Sequence, residues 1–168
     1  MNILVGIAAH RPSEAFLRDY KQFFDIASKK YTMDEFWVYD RTLVEAQNLI
    51  AEHFMGGNYT HLLMLEDDHS GHSLEMLDKL VQADKLVCAI SYYSRHGHMP
   101  KVPMMKRKDK YIEGHFESGT HEVDLVGFGF TLIKKRAFER VGKPYFKLND
   151  YECMDKSLIR STDRDWET

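Results

Sequence analysis

Cysteine is scarce in this chain. The two present, Cys88 and Cys153, cannot build a disulfide framework, and each sits in or near an apolar context, as a buried thiol in a reducing compartment would. Membrane-length hydrophobic runs are missing: no segment approaches the roughly 18 apolar residues of a spanning helix. The opening stretch from Met1 to His10 has no positive leader and too short an apolar run for a signal peptide. Together these absences predict a cytoplasmic protein without a transmembrane segment. Basic charge is not in excess either. Lysine and arginine number 23 against 26 aspartates and glutamates, a net charge of −3, which gives no support for a nucleic-acid partner. Internal repeats and low-complexity segments are absent.

What remains is an ordinary globular composition, 43% hydrophobic and 29% charged over 168 residues, enough for one domain with a full core. Ile3 to Ala8 is a continuous apolar run and reads as a buried strand. Ser13 can cap a helix whose Phe16, Tyr20, Phe23 and Ala27 recur at helical spacing. Met33 to Tyr39 reads as a second strand, ending at Asp40. A second helix from about Thr42 to Met55 places Leu43, Ala46, Ile50 and Phe54 on one face, and Gly56 and Gly57 stop it. Thr60 to Leu65 is a third strand. Leu74, Leu77 and Leu80 mark a third helix, and Lys85 to Ile90 a fourth strand. Strands alternating with helices predict a mostly parallel central sheet with right-handed crossovers.

The pattern changes after Ser91. Residues 92–119 have no helical period and read as a long loop with short antiparallel strands. Val123 to Ile133 reads as a strand interrupted at Gly127 and Gly129 by a bulge or a close backbone approach. A short helix, Lys134 to Val141, and a polar acidic tail follow. One domain over residues 1–168 is expected, with an α/β half over 1–91 and a β-rich half over 92–168 that share a sheet.

The third strand stops abruptly at Glu66, Asp67, Asp68 and His69. Adjacent carboxylates repel, and in a partly buried place a cation, a basic cluster or water must take up the charge. Oxygen ligands at the carboxyl end of a strand suit Mg²⁺ or Mn²⁺. A solvated acidic turn is the other reading. Alternation along an extended chain points Glu66 and Asp68 the same way and turns Asp67 elsewhere, whereas a chain that turns here would make Asp67 a ligand instead. His69 with His72, or His96 with His98, could form a metal pair, and nothing in the sequence chooses among them. The loops after the first two strands, carrying His10 and Arg11 and then Asp40, belong on the same side of the sheet.

Residues 58–69, an apolar strand closed by Glu66, Asp67 and Asp68, resemble the Asp-x-Asp segment of glycosyltransferases with the GT-A fold. The surroundings follow the same order: Ala46-Gln47-Asn48 on the preceding helix, a leucine-rich helix afterwards, Val126-Gly127-Phe128-Gly129, a basic helix, and Pro144-Tyr145-Phe146. Glu66 stands where aspartate is usual, and Gln47 where arginine is usual. The resemblance implies a Rossmann-like GT-A fold: a mostly parallel sheet with helices on both faces and a smaller β-rich C-terminal half. It further implies a nucleotide-binding half over 1–91 and an acceptor-side half over 92–168.

By the same resemblance the protein would be a metal-dependent hexosyltransferase. It would move a sugar from a UDP- or GDP-linked donor to a glycan, lipid or protein hydroxyl. Glu66 and Asp68 would hold Mn²⁺ or Mg²⁺. Ala8, His10, Arg11, Asp40 and Asp67 would contact the nucleotide. Asp163 or Asp150 would be the general base of an inverting transfer, which needs a carboxylate within hydrogen-bond reach of the acceptor. A metal-dependent phosphohydrolase or nucleotidyltransferase, and a nucleotide-sugar-binding module without catalysis, are the alternatives.

Overall fold

The computed structural model describes residues 1–93, 100–102, 104–107, 110–113 and 119–147. The elements run β1 (Asn2–Ala9), α1 (Glu14–Ala27), β2 (Thr32–Tyr39), α2 (Leu43–Gly56), β3 (His61–Glu66), α3 (Leu74–Ala83) and β4 (Val87–Ala89). Four short strands follow, β5 (Tyr92–Tyr93), β6 (Pro100–Val102), β7 (Met104–Arg107) and β8 (Lys110–Glu113), and then β9 (Phe130–Lys134) and α4 (Lys135–Val141).

Three of the four described helices begin at a side-chain cap, and α4 begins without one. The Ser13 hydroxyl accepts from the Phe16 amide at 3.1 Å and starts α1. Thr42 and Glu45 form a reciprocal capping box at the start of α2. The Ser73 hydroxyl accepts from the Met76 amide and starts α3.

Among the described residues, five strands form the central sheet, in the order β2-β1-β3-β9-β4. Alternation along β1 and β3 divides the core in two. Ile3, Val5, Ile7, Leu63 and Leu65 face α1 and α3, where Phe16, Phe23 and Leu77 are buried. Leu4, Leu62 and Met64 face α2 and α4, where Ile50, Phe54 and Phe138 are buried. Gly6 lies under α2, and a Cβ there would overlap the Ile50 side chain.

The expected mostly parallel Rossmann-like GT-A sheet does not form. β1 runs parallel to β2 and β3, but β9 runs antiparallel to both β3 and β4, so the sheet is small and mixed. The physical reason lies in two short strands. Val87–Ala89 is only partly buried, whereas four of the five residues of Phe130–Lys134 are buried. The more apolar strand takes the interior position beside β3, and the weaker one is left at the edge. β9 is also shorter than the run from Val123 to Ile133: residues 123–129 approach it as irregular chain, tied by the Thr131 hydroxyl donating to the Gly127 carbonyl at 2.6 Å. Outside the main sheet, β5 pairs with β6 and β7 with β8, both antiparallel. None of the helices among the described residues is long and apolar enough to cross a membrane.

Candidate functional site

The register of the three parallel strands brings their carboxyl ends level. Ala8 lies between Val38 of β2 and Glu66 of β3. The chain segments that leave these strands therefore converge: His10 and Arg11 after β1, Asp40 after β2, and residues 67–73 after β3. Carboxyl ends of parallel strands are where α/β sheets ordinarily bind ligands.

Asp67 ties two of these segments together. Its Oδ2 accepts from the backbone amides of His10 at 2.7 Å and Arg11 at 2.9 Å. The carboxylate thus fixes the loop after β1 against the end of β3, and Arg11 enters the arrangement through its backbone. His10 Nδ1 lies 3.8 Å from Asp40 Oδ1, so the loops after β1 and β2 also meet. Asp40 holds this place in a left-handed conformation, φ 53°, which aspartate tolerates better than most residues.

Glu66, Asp68 and His69 come together on the other side of Asp67. Each offers one ligand atom, and these atoms all lie within 4.8 Å of one another. His69 Nδ1 is 2.7 Å from Asp68 Oδ1 and 3.8 Å from Glu66 Oε2. The imidazole is half-buried because it lies over Gly129, where a Cβ would come within 2.8 Å of His69 Nε2. That contact explains the glycine after Phe128. It also brings the segment that leads into β9, distant in sequence, into the wall of the cluster.

Two carboxylates and one imidazole form a donor set that suits a divalent first-row ion. The oxygens suit Mg²⁺ or Mn²⁺, and the imidazole nitrogen favours Mn²⁺ of the two. A metal there would take the place of the 2.7 Å contact between His69 Nδ1 and Asp68 Oδ1.

Beyond the cluster the turn folds back onto α1. Asp19 accepts from the Gly71 amide at 2.9 Å, which holds its carboxyl below the usual range. His72 inserts among Phe16, Phe23 and Phe130. Burial there, with a smaller contribution from the positive field of His69, pushes its pKa down to about 4, against a weak opposing pull from Asp19.

Several predicted residues have other work. Gln47 is 5% exposed and belongs to the core face of α2. Asn48 beside it clamps the end of the described chain, donating to the Phe146 carbonyl at 2.8 Å and accepting from the Phe146 amide at 3.1 Å. Asp150 and Asp163, the two candidate bases, lie outside the described residues, as do His96 and His98. Sequence reasoning considered His69 without assigning it to the cluster. Its signal was its position directly after the acidic run, and the decisive contact, with Gly129, is invisible in the sequence.

No family model matches the sequence, and no curated protein matches it. The fold is similar to that in the crystal structure of A197 from STIV, with a TM-score of 0.59 and 18% identity, over 88% of this chain and 72% of that one. At that identity the likeness concerns the fold alone. It agrees with a small mixed α/β domain as the class of this protein.

Proposed function

We propose that the protein is a nucleotide-diphosphate-sugar transferase that uses a divalent cation, Mn²⁺ in preference to Mg²⁺, at Glu66, Asp68 and His69. The observation that carries this reading is the juxtaposition of two features at one end of the sheet. The Glu66–Asp68–His69 cluster offers a cation its ligands, and the His10–Asp40 pair sits across the Asp67 bridge from it. A cation held there would neutralise a diphosphate, whose charge grows as it leaves. His10, Arg11, Asp40 and the backbone at Ala8 would border the nucleoside, with Asp67 keeping their loop in register. The cytoplasm is the compartment that fits a nucleotide-linked donor and the free thiol of Cys88.

Thermal melts with UDP and with GDP, each with and without Mn²⁺, test this. Ligand at a hundred times its dissociation constant adds about 2.7 kcal/mol to stability, so a Mn²⁺-dependent rise of several degrees is expected with at least one of the two. Absence of any shift with either nucleotide, at any Mn²⁺ concentration, refutes the proposal. Release of inorganic phosphate from nucleotides without sugar transfer would replace it with a phosphohydrolase. Binding without turnover of any sugar donor would leave a binding module.

A further inference from the structure

The turn that follows β3 is fastened to α1 at two points, and the second is chemically odd. The first is the exposed hydrogen bond from the Gly71 amide to Asp19. The second is the His72 ring, stacked on Phe130 at 5.6 Å and 23° and edge-on to Phe16 at 5.6 Å and 90°. Both His72 nitrogens are buried and have no hydrogen-bond partner among the described residues. The socket is built from hydrocarbon rings and is filled by a polar one. An imidazole that loses its water without gaining partners is held less firmly than a phenyl ring would be.

A solvent-open pocket of about 290 Å³, lined by Asp19, Gln22, Phe23, His72 and Leu74 among others, lies beside it. The titratable groups that act on the ring are Asp19 from α1 and His69 from its own turn. Two of the three cluster residues, Asp68 and His69, ride on this turn, whereas Glu66 is the last residue of β3.

We propose that His72 is a positioning residue for the cluster, a loosely seated plug that keeps Asp68 and His69 against Glu66 and opens the cluster when it withdraws. The cation consequences rest on the reading above; the hold of the plug on the turn does not. A buried polar plug costs stability and lowers the free energy needed to open the turn, the property expected of a segment that must open and close around a ligand.

Hydrogen exchange across residues 67–73, measured with Mn²⁺ affinity by calorimetry, tests the proposal on three proteins: wild type, His72→Phe and His72→Ala. His72→Phe keeps the plug and removes its buried polar atoms. It should slow exchange of the turn about tenfold and leave Mn²⁺ affinity equal or tighter. His72→Ala removes the plug. It should speed exchange of the turn and weaken Mn²⁺ binding about tenfold, while β1 and β3 exchange as in wild type.

The proposal is overturned if His72→Phe exchanges faster than wild type in the turn, a result readable even where His72→Ala does not fold. Unchanged Mn²⁺ affinity in a folded His72→Ala overturns it too and leaves the cation reading standing. A wild type that binds no Mn²⁺, with the exchange pattern as expected, overturns the cation reading and leaves the plug.

Discussion

Gly129 shapes the candidate site by having no side chain. Its Cα lies under the His69 ring, and the space a Cβ would fill is already occupied at 2.8 Å. A substitution to alanine must push the imidazole aside, because the atoms in its way belong to the His69 side chain and Gly129 leads directly into the packed strand β9. On the proposed cation reading, Gly129→Ala is expected to weaken Mn²⁺ binding about tenfold, as a ligand displaced from a three-residue donor set would. The circular dichroism spectrum should stay that of the wild type. Calorimetric titration measures the first, and an unchanged affinity would show that His69 is not a ligand. Asp67 works at the same scale in the opposite sense. Its carboxylate is engaged by two backbone amides, so its part is to join the β1 loop to the β3 turn while Glu66 and Asp68 face the cluster.

At the scale of elements, α2 holds the described C-terminal segment through Asn48. The amide both donates to and accepts from the Phe146 backbone, 98 residues away in sequence. Around it, Phe128, Phe138 and Phe146 meet edge-on. Asn48→Ala removes both hydrogen bonds and leaves a half-buried amide and carbonyl to find water. A loss of about 1–3 kcal/mol is expected, read as a lower urea midpoint with an unchanged slope. An unaltered midpoint would mean that the aromatic contacts hold the segment unaided. The Thr42–Glu45 capping box sets where α2 begins, and so where Asn48 lies along it.

At the scale of the whole molecule, acid sensitivity follows from His72. Its pKa in the folded protein is pushed down to about 4 from the ordinary 6.5, chiefly by burial. The unfolded chain takes up a proton there as pH falls below 6.5, and the folded chain does not until about 4. Stability from this residue is complete above pH 6.5 and is lost as pH falls from 6.5 toward 4. For a ring that is partly exposed, the loss across that window is about 2 kcal/mol. Chemical denaturation at pH 7 and pH 4.5 should show a wild-type loss that His72→Phe largely lacks. Equal losses in the two proteins would contradict the assignment.

The elements of the first half were legible one by one, each for a local reason. Ser13 read as a helix start because its side chain can satisfy an orphan amide of the first turn, and in the structure Thr42 and Ser73 do the same for α2 and α3. Ile3 to Ala8 and Leu62 to Leu65 read as buried strand segments because no polar residue interrupts them. The separation of Asp67 from Glu66 and Asp68 comes from a turn over residues 67 and 68, where β3 has already ended, and not from the alternation of an extended chain. The neighbours of these residues were not legible either. Asp67 meets the amides of His10 and Arg11 across 57 and 56 residues, and no local pattern encodes such a pairing.

By itself, the sequence determined the local conformations, the two apolar faces of β1 and β3, and the place along the chain where the acidic cluster falls. Only the tertiary structure decided that β9 enters the sheet antiparallel between β3 and β4, which made the sheet mixed and set Gly129 beneath His69. Periodicity reports how a segment is buried and not which neighbour buries it. Strand direction and order depend on how the chain returns after residues 92–129 and on which of two short strands gains more by interior burial, a competition settled over the whole molecule.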